Sequence, residues 1–280
     1  MGSLVFGLIA ALCWGIHDIC VRYVSQQGGI LPALATVLII GTVIMIPPAI
    51  LTGDWADMSL LACGLAGASG IAFTLAYVGL YKAFEIGPVR LVAPIIGAYP
   101  VLSVGWAAAS GQAVAPDQWL AVGAVIAGVA IVGLLTDEAA SGGSKRKAIL
   151  WALLGGGAFA ATFALGQAAA HAGSEVPAIF VTRIVAVVLA LTLLAGTGGI
   201  RWPARSALPL LALMGVLDCL ALGIVIAAAS MARPEFASVA ASTFGMITVI
   251  LAWAILRERM TPGQWAGVLV TFSAIGYLAL

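Results

Sequence analysis

The polar positions of this chain fall in short clusters, and apolar stretches too long for strands or most soluble helices run between them. A helix that crosses a bilayer needs about 20 mostly apolar residues. Ten such stretches are read, at about 4–23, 31–51, 60–82, 90–110, 118–135, 148–170, 177–195, 207–230, 235–256 and 263–280. The breaks are clusters of Gly, Pro and charge, such as Thr52-Gly53-Asp54-Trp55, Gly196-Thr197-Gly198-Gly199 and Arg257-Glu258-Arg259. The third stretch has the least defined end, because Lys82 and Glu85 follow closely. The ten-residue alternation of a membrane β-barrel is absent. The pattern predicts an all-α membrane protein of ten transmembrane helices with no soluble domain.

Composition sharpens this. Of 280 residues, 63% are hydrophobic and 8% charged, with a mean hydropathy of +1.16. A soluble domain carries about 25% charged residues. A cytosolic enzyme, a disordered chain and a nucleic-acid binder are therefore excluded. The net charge of +1 gives no field to recruit polyanions. All four cysteines fall inside predicted spans, so no disulfide is expected. The N-terminus lacks a basic region and a small-residue cleavage site, so the first segment is read as a retained helix.

The positive charges orient the spans. Arg183 lies inside one. Arg22, Lys82, Arg90, Lys145, Arg146, Lys147, Arg201, Arg205, Arg257 and Arg259 fall at loops or span ends on one side, and Arg233 on the other. Lys and Arg mark the cytoplasmic face. Both termini are therefore expected outside, in a multi-pass protein of a bacterial-type inner (plasma) membrane.

The chain also repeats itself. Pro116-Asp117-Gln118-Trp119 lines up with Pro262-Gly263-Gln264-Trp265, a shift of 146 residues, and Pro88 lines up with Pro234. The boundary is the polar stretch 136–147, which predicts one five-helix repeat over 1–135, a cytoplasmic linker over 136–147 and a second repeat over 148–280. An odd number of spans per half makes the second half enter from the opposite side. Inverted repeats of this kind are a transporter architecture, with the solute site at the midplane between halves.

Five plus five spans in a short chain, with these turn motifs, resemble the drug/metabolite transporter superfamily and its EamA-like branch. The resemblance rests on Trp14-Gly15, on the run Ala76-Tyr77-Val78-Gly79-Leu80-Tyr81-Lys82-Ala83-Phe84, on Pro94 and Pro100, and on Leu256-Arg257-Glu258-Arg259-Met260-Thr261. It covers essentially the whole chain, through the order of the motifs rather than any one of them. One departure stands out: the family's usual Gly-Glu after the fourth span reads Gly111-Gln112, and only the second half keeps the acid, Glu258. The resemblance implies secondary transport of small organic solutes, often amino acids or related metabolites, commonly by export.

Ionisable groups inside spans are costly and usually face a cavity or a partner. His17, Asp18, Arg183 and Asp218 are the four candidates for coupling or ion pairing. Asp218 sits mid-span among Leu213, Val216, Leu217, Cys219 and Leu220. Burial disfavours a charged carboxyl, which makes Asp218 a candidate for proton coupling, with Arg183 the obvious partner for a structural pair. Asp18 can pair with Arg22 one turn on, and adjacent His17 and Asp18 point about 100° apart. Trp14, His17, Tyr77, Tyr81, Tyr99, Ser242 and Phe244 are the candidate solute contacts, because aromatic rings and hydroxyls suit a solute with apolar and polar ends. Thr74, Tyr77 and Tyr81 lie on one helical stripe. Tyr23, Trp55, Trp119, Trp202 and Trp265 lie at span ends and read as interface anchors. Pro94 and Pro100 should bend the fourth span. The spacings Gly64-Gly67-Gly70, Gly123-Ala127 and Gly263-Gly267 read as close helix contacts.

No phosphate-binding loop, nucleophile elbow or His-Glu-x-x-His motif is present, and neither enzyme activity, cofactor nor metal is expected. The expected partners are a small-molecule substrate and the bilayer, with the protein a monomer or homodimer. The rival readings are a carrier of organic cations such as quaternary amines, a lipid flippase or membrane-embedded enzyme, and a channel. The channel is disfavoured because it would need a lined pore and usually oligomer symmetry.

Overall fold

The computed structural model describes residues 2–26, 29–109, 113–137, 144–197, 202–228, 231, 237 and 240–278, and these are helical with no strand among them. The elements are α1 (Gly2–Ser25), α2 (Ile30–Leu51), α3 (Leu60–Ile86), α4 (Val89–Gly97), α5 (Pro100–Ala109), α6 (Pro116–Leu134), α7 (Lys145–Ala172), α8 (Glu175–Ala195), α9 (Leu208–Ala227), α10 (Phe244–Ala254) and α11 (Pro262–Leu278). Seven of these, α1, α2, α3, α6, α7, α8 and α9, are long and apolar enough to cross a membrane, and shorter apolar helices accompany them.

Three stretches differ from the sequence reading. The third helix runs past Lys82 to Ile86, because Lys82 and Glu85 pair at 2.8 Å on its exposed side and the helix stops only at Gly87-Pro88. The fourth stretch is two helices rather than one bent one. Pro94 and Pro100 lack the N–H groups that would carry the ladder through, and the chain turns at Ala98-Tyr99. The ninth stretch is interrupted too: residues 240–242 are helical, Thr243 is a turn, and α10 follows. The two breaks meet: a Cβ on Gly97 would lie 3.0 Å from the Ser242 carbonyl, and one on Gly245 would lie 2.7 Å from that of Ala93. Broken helices of this kind in transporters gather at the membrane midplane.

Packing follows the repeat. Under the 146-residue shift α1 becomes α7, α2 becomes α8, α3 becomes α9, α4–α5 becomes α10 and α6 becomes α11. The main contacts have counterparts: α3 on α7 with α1 on α9, α3 on α8 with α2 on α9, and α1 on α10 with α4 on α7. The pairs α2·α8, α4·α10 and α6·α11 map onto themselves. The start of α6 and that of α11 are also built alike. Gln118 Oε1 accepts from the Ala115 N–H at 3.0 Å, and Gln264 Oε1 accepts from the Thr261 N–H at 2.9 Å.

Lipid provides no hydrophobic drive between helices, so close approach at small residues holds them together. A Cβ on Gly79 would sit 2.7 Å from the Gly155 nitrogen across α3 and α7, and one on Gly128 would sit 2.6 Å from the Gly267 carbonyl across α6 and α11. Of the spacings singled out from sequence, Gly70, Gly263 and Gly267 do meet neighbours. Gly64, Gly67 and Gly123 meet nothing within 4 Å. Spacing alone does not tell which face of a helix turns inward.

One end of the bundle is polar. Glu258 accepts from the backbone N–H groups of Val89 at 2.9 Å and Arg90 at 3.1 Å, and so caps α4. The turn that delivers it has Arg257 in the left-handed region, at φ 54°. Arg22 donates to the Phe84 and Gly87 carbonyls at the end of α3. The Asp18–Arg22 pair inferred from helical spacing therefore does not form: the guanidinium caps open carbonyls at the bundle end, a full turn from Asp18. Removing the Glu258 cap by Glu258→Ala is expected to cost about 1 kcal/mol, read as a lowered thermal unfolding midpoint in detergent, and Glu258→Gln should cost less. Gly111-Gln112, Arg201, Arg233, Pro234 and residues 138–143 of the linker lie outside the described residues.

Candidate functional site

Among the described residues, the His, Asp and Arg side chains singled out inside spans are all buried: His17, Arg183 and Asp218 fully, and Asp18 to 1% exposure. Arg183, on α8, reaches Asp218, on α9, with Nη2 to Oδ2 at 2.6 Å. The Tyr77 hydroxyl, on α3, donates to the other oxygen of Asp218. Asp218 is thus held by a cation from its own half and a hydroxyl from the other. The guanidinium lies 6.0 Å from the Phe73 ring centre. It fits only because position 41 of α2 is glycine, where a Cβ would lie 1.8 Å from Nη2.

Asp18 is held differently. Its Oδ2 accepts from the Thr248 hydroxyl of α10 at 3.1 Å, and its Oδ1 lies 3.7 Å from His17 Nδ1. Although adjacent on the helix, His17 and Asp18 are both buried, because α1 is packed by α3, α9 and α10 around much of its girth. The His17 ring meets the Tyr77 ring edge-on at 5.5 Å, which joins the two acidic centres.

An aromatic wall continues from there. Trp14 lies against Phe163 at 5.4 Å, Phe244 at 6.1 Å and Phe159 at 6.2 Å. Phe163 meets Tyr99 at 5.2 Å, and Tyr77 meets Phe159 at 5.6 Å and Tyr81 at 6.0 Å. Trp14, His17, Tyr77, Tyr81, Tyr99 and Phe244 therefore form one buried cluster around the two carboxylates. Ser242 is buried at the helix break, where Gly97 approaches its carbonyl. Thr74, on the tyrosine stripe, donates to backbone carbonyls at Gly70 and Ala186.

Several polar atoms in this cluster make no hydrogen bond among the described residues: Trp14 Nε1, both His17 nitrogens, Tyr81 Oη, and Arg183 Nε and Nη1. A buried polar atom left without a partner costs free energy. These atoms gather around one aromatic wall. The excess is of donors, beside two carboxylates.

The structure adds residues that the sequence reading did not single out. Phe159 and Phe163 of α7 form the wall behind Trp14, Thr248 holds Asp18, and Gly41 makes room for Arg183. The i, i+4 spacing of Phe159 and Phe163 in a Gly- and Ala-rich helix was a visible signal. Nothing local marked Gly41 among the many glycines. At the span ends, Tyr23, Trp55, Trp119 and Trp202 are exposed, and Trp265 is half-buried against Trp253 at 6.0 Å.

A solved crystal structure superposes on this chain with a TM-score of 0.67 at 15% sequence identity, covering 99% of this chain and 94% of the other. At that identity the likeness shows the fold. Curated proteins give no match. The model of the EamA-like transporter family matches twice, over residues 1–134 and 146–280. Two matches that together span nearly the whole helical bundle establish that the chain belongs to the EamA-like transporter family, as a membrane transporter of the drug/metabolite type built from two repeats.

Proposed function

We propose that the protein is a secondary transporter of small polar organic solutes, amino acids among them, which works by alternating access and is coupled to protons. In this reading ten helices form two inverted repeats, 1–135 and 148–280, joined by a cytoplasmic linker at 136–147. The protein sits in a bacterial-type inner membrane as a monomer or homodimer, with both termini outside, and exports its solute. The observation that supports this is the buried core of unpaired donors and two carboxylates inside an aromatic wall. That arrangement suits a solute with a polar head and an apolar body.

The two carboxylates take different roles. Asp218 already has a guanidinium and a hydroxyl, so it serves best as a latch between halves. Asp18 has a hydroxyl and a neighbouring imidazole, so it is the better proton carrier. Sequence position pointed to Asp218 for coupling; the pairing of Asp218 supports giving that role to Asp18 instead. A transported solute that displaced Tyr77 or Arg183 from Asp218 would release the latch, the differential contact that alternating access requires.

The test is solute flux in proteoliposomes across an imposed pH gradient. Gradient-driven movement of at least one amino acid or related metabolite, absent from protein-free vesicles, is expected. Flux indifferent to the gradient would remove proton coupling.

A second reading is favoured by Asp18, which sits one helical turn from Trp14 and its aromatic neighbours. A carboxylate beside such rings suits an organic cation held by cation–π contact. Competition by quaternary amines, with none by neutral amino acids, selects that reading.

A further inference from the structure

A cavity lies on the flank of the bundle, between α4, α5, α6 and α7, with a volume of about 550 Å³. That is within the range of ligand pockets, roughly 300–1,000 Å³. Of its sixteen lining residues, only Tyr99 and Lys145 have polar side-chain atoms. Leu102, Ile126, Leu134 and Leu153 line it and are themselves exposed, so the cleft opens sideways, where a membrane protein of this kind meets lipid tails.

Two glycines keep it open. A Cβ on Gly133 would meet only Leu91, at 3.9 Å, and one on Gly157 only Leu102, at 3.6 Å. Neither glycine is required for close helix approach, and glycine inside a helix is disfavoured relative to alanine. Their effect is a deeper groove. Its inner end is Tyr99, at the break between α4 and α5.

One cation, Lys145, lines the cleft. Lys145, Arg146 and Lys147 occupy the first turn of α7, which holds no acidic residue. A helix N-terminus is the positive end of the helix dipole, so three cations there are unfavourable until an anion joins them. Lys145 Nζ donates to the Thr136 carbonyl at 2.6 Å, which fixes the ammonium at the mouth and leaves further N–H donors for an incoming group.

We propose that this cleft binds one anionic phospholipid, its acyl chain along Gly133 and Gly157 toward Tyr99 and its headgroup phosphate on Lys145 and Arg146. Apolar depth and a lining lysine match the two ends of that molecule. Basic pockets between helices on the cytoplasmic side are known sites for such headgroups. The chain's tip would rest against the α4–α5 break, so occupancy steadies the hinge beside the aromatic wall.

The test uses the full-length protein in nanodiscs of phosphatidylcholine with a trace of phosphatidylglycerol or phosphatidylcholine spin-labelled on its acyl chain. Electron paramagnetic resonance reads the motionally restricted fraction. With the native protein that fraction should be several-fold larger for phosphatidylglycerol. Gly157→Leu, which fills the groove, should abolish the difference, and Lys145→Gln/Arg146→Gln should bring the two lipids level. If Gly157→Leu does not fold, Gly133→Leu reads the same groove. Equal restriction of both lipids by the native protein would overturn the proposal. So would a phosphatidylglycerol signal that survives a folded, groove-filled variant, since the lipid would then bind elsewhere.

Discussion

Arg183→Met is expected to destabilise the protein by about 3–5 kcal/mol, the usual cost of removing one partner from a buried ion pair. It leaves Asp218 fully buried with Tyr77 as the remaining partner among the described residues. Asp218→Leu should cost a similar amount, by stranding a guanidinium that already has two unbonded nitrogens. The double variant Arg183→Met/Asp218→Leu should recover much of the loss, because apolar groups of similar volume often replace a buried pair at little cost. Denaturation of the detergent-solubilised proteins reads this as a double-mutant cycle. Additive losses would mean that the two groups do not sense each other. Gly41→Ala provides an independent check, since its methyl group would occupy the place of Nη2. It should shift stability in the direction of Arg183→Met while changing no charge. The stable double variant should still fail to transport, because the tie from Tyr77 to Asp218 across the two halves is gone. Recovery of folding without recovery of flux would separate the latch from the scaffold.

The second large effect concerns Asp18. In proteoliposomes, Asp18→Asn should lower pH-gradient-driven accumulation by at least about tenfold, on the order of 1.4 kcal/mol or more of lost coupling. Exchange of solute at equal pH on both sides should persist. The amide still accepts from the Thr248 hydroxyl but carries no exchangeable carboxyl proton. Asp218→Asn should instead impair exchange and gradient-driven flux together, because it weakens the latch that both processes need. Full pH-driven accumulation by Asp18→Asn would end the assignment of the proton to this residue. A loss of exchange in the same variant would make Asp18 a solute contact.

The helical architecture was legible in the sequence because it depends on the least local of signals. A run of about 20 apolar residues has few other uses, and a shift that aligns Pro116-Asp117-Gln118-Trp119 with Pro262-Gly263-Gln264-Trp265 reports the repeat whatever the packing. The ionisable cluster was legible for a related reason: a charge inside a span is costly enough to mark itself. Which charges meet was not. Helical spacing offered Arg22 to Asp18, yet Arg22 caps the end of α3, since a long side chain near a bundle end finds open carbonyls. Glycine spacing misled at Gly64, Gly67 and Gly123 for want of any facing partner. Gly41 escaped notice because its importance lies in a side chain 142 positions away in the chain, at Arg183. Pro94 and Pro100 predicted a bend and produced a break, which only the neighbouring break at Thr243 makes sense of.

The most direct test of the central claim is whether the buried polar core binds a solute at all. Purified protein would be screened by thermal unfolding against amino acids, quaternary amines, nucleobases and sugars, with Trp14→Ala alongside. A ligand that binds only the folded state stabilises it by about 2.7 kcal/mol at a hundred times its dissociation constant. The expected result is a dose-dependent rise in the unfolding midpoint with one solute class, lost in Trp14→Ala. No shift with any class, or a shift that Trp14→Ala retains in full, would contradict a solute site in this core.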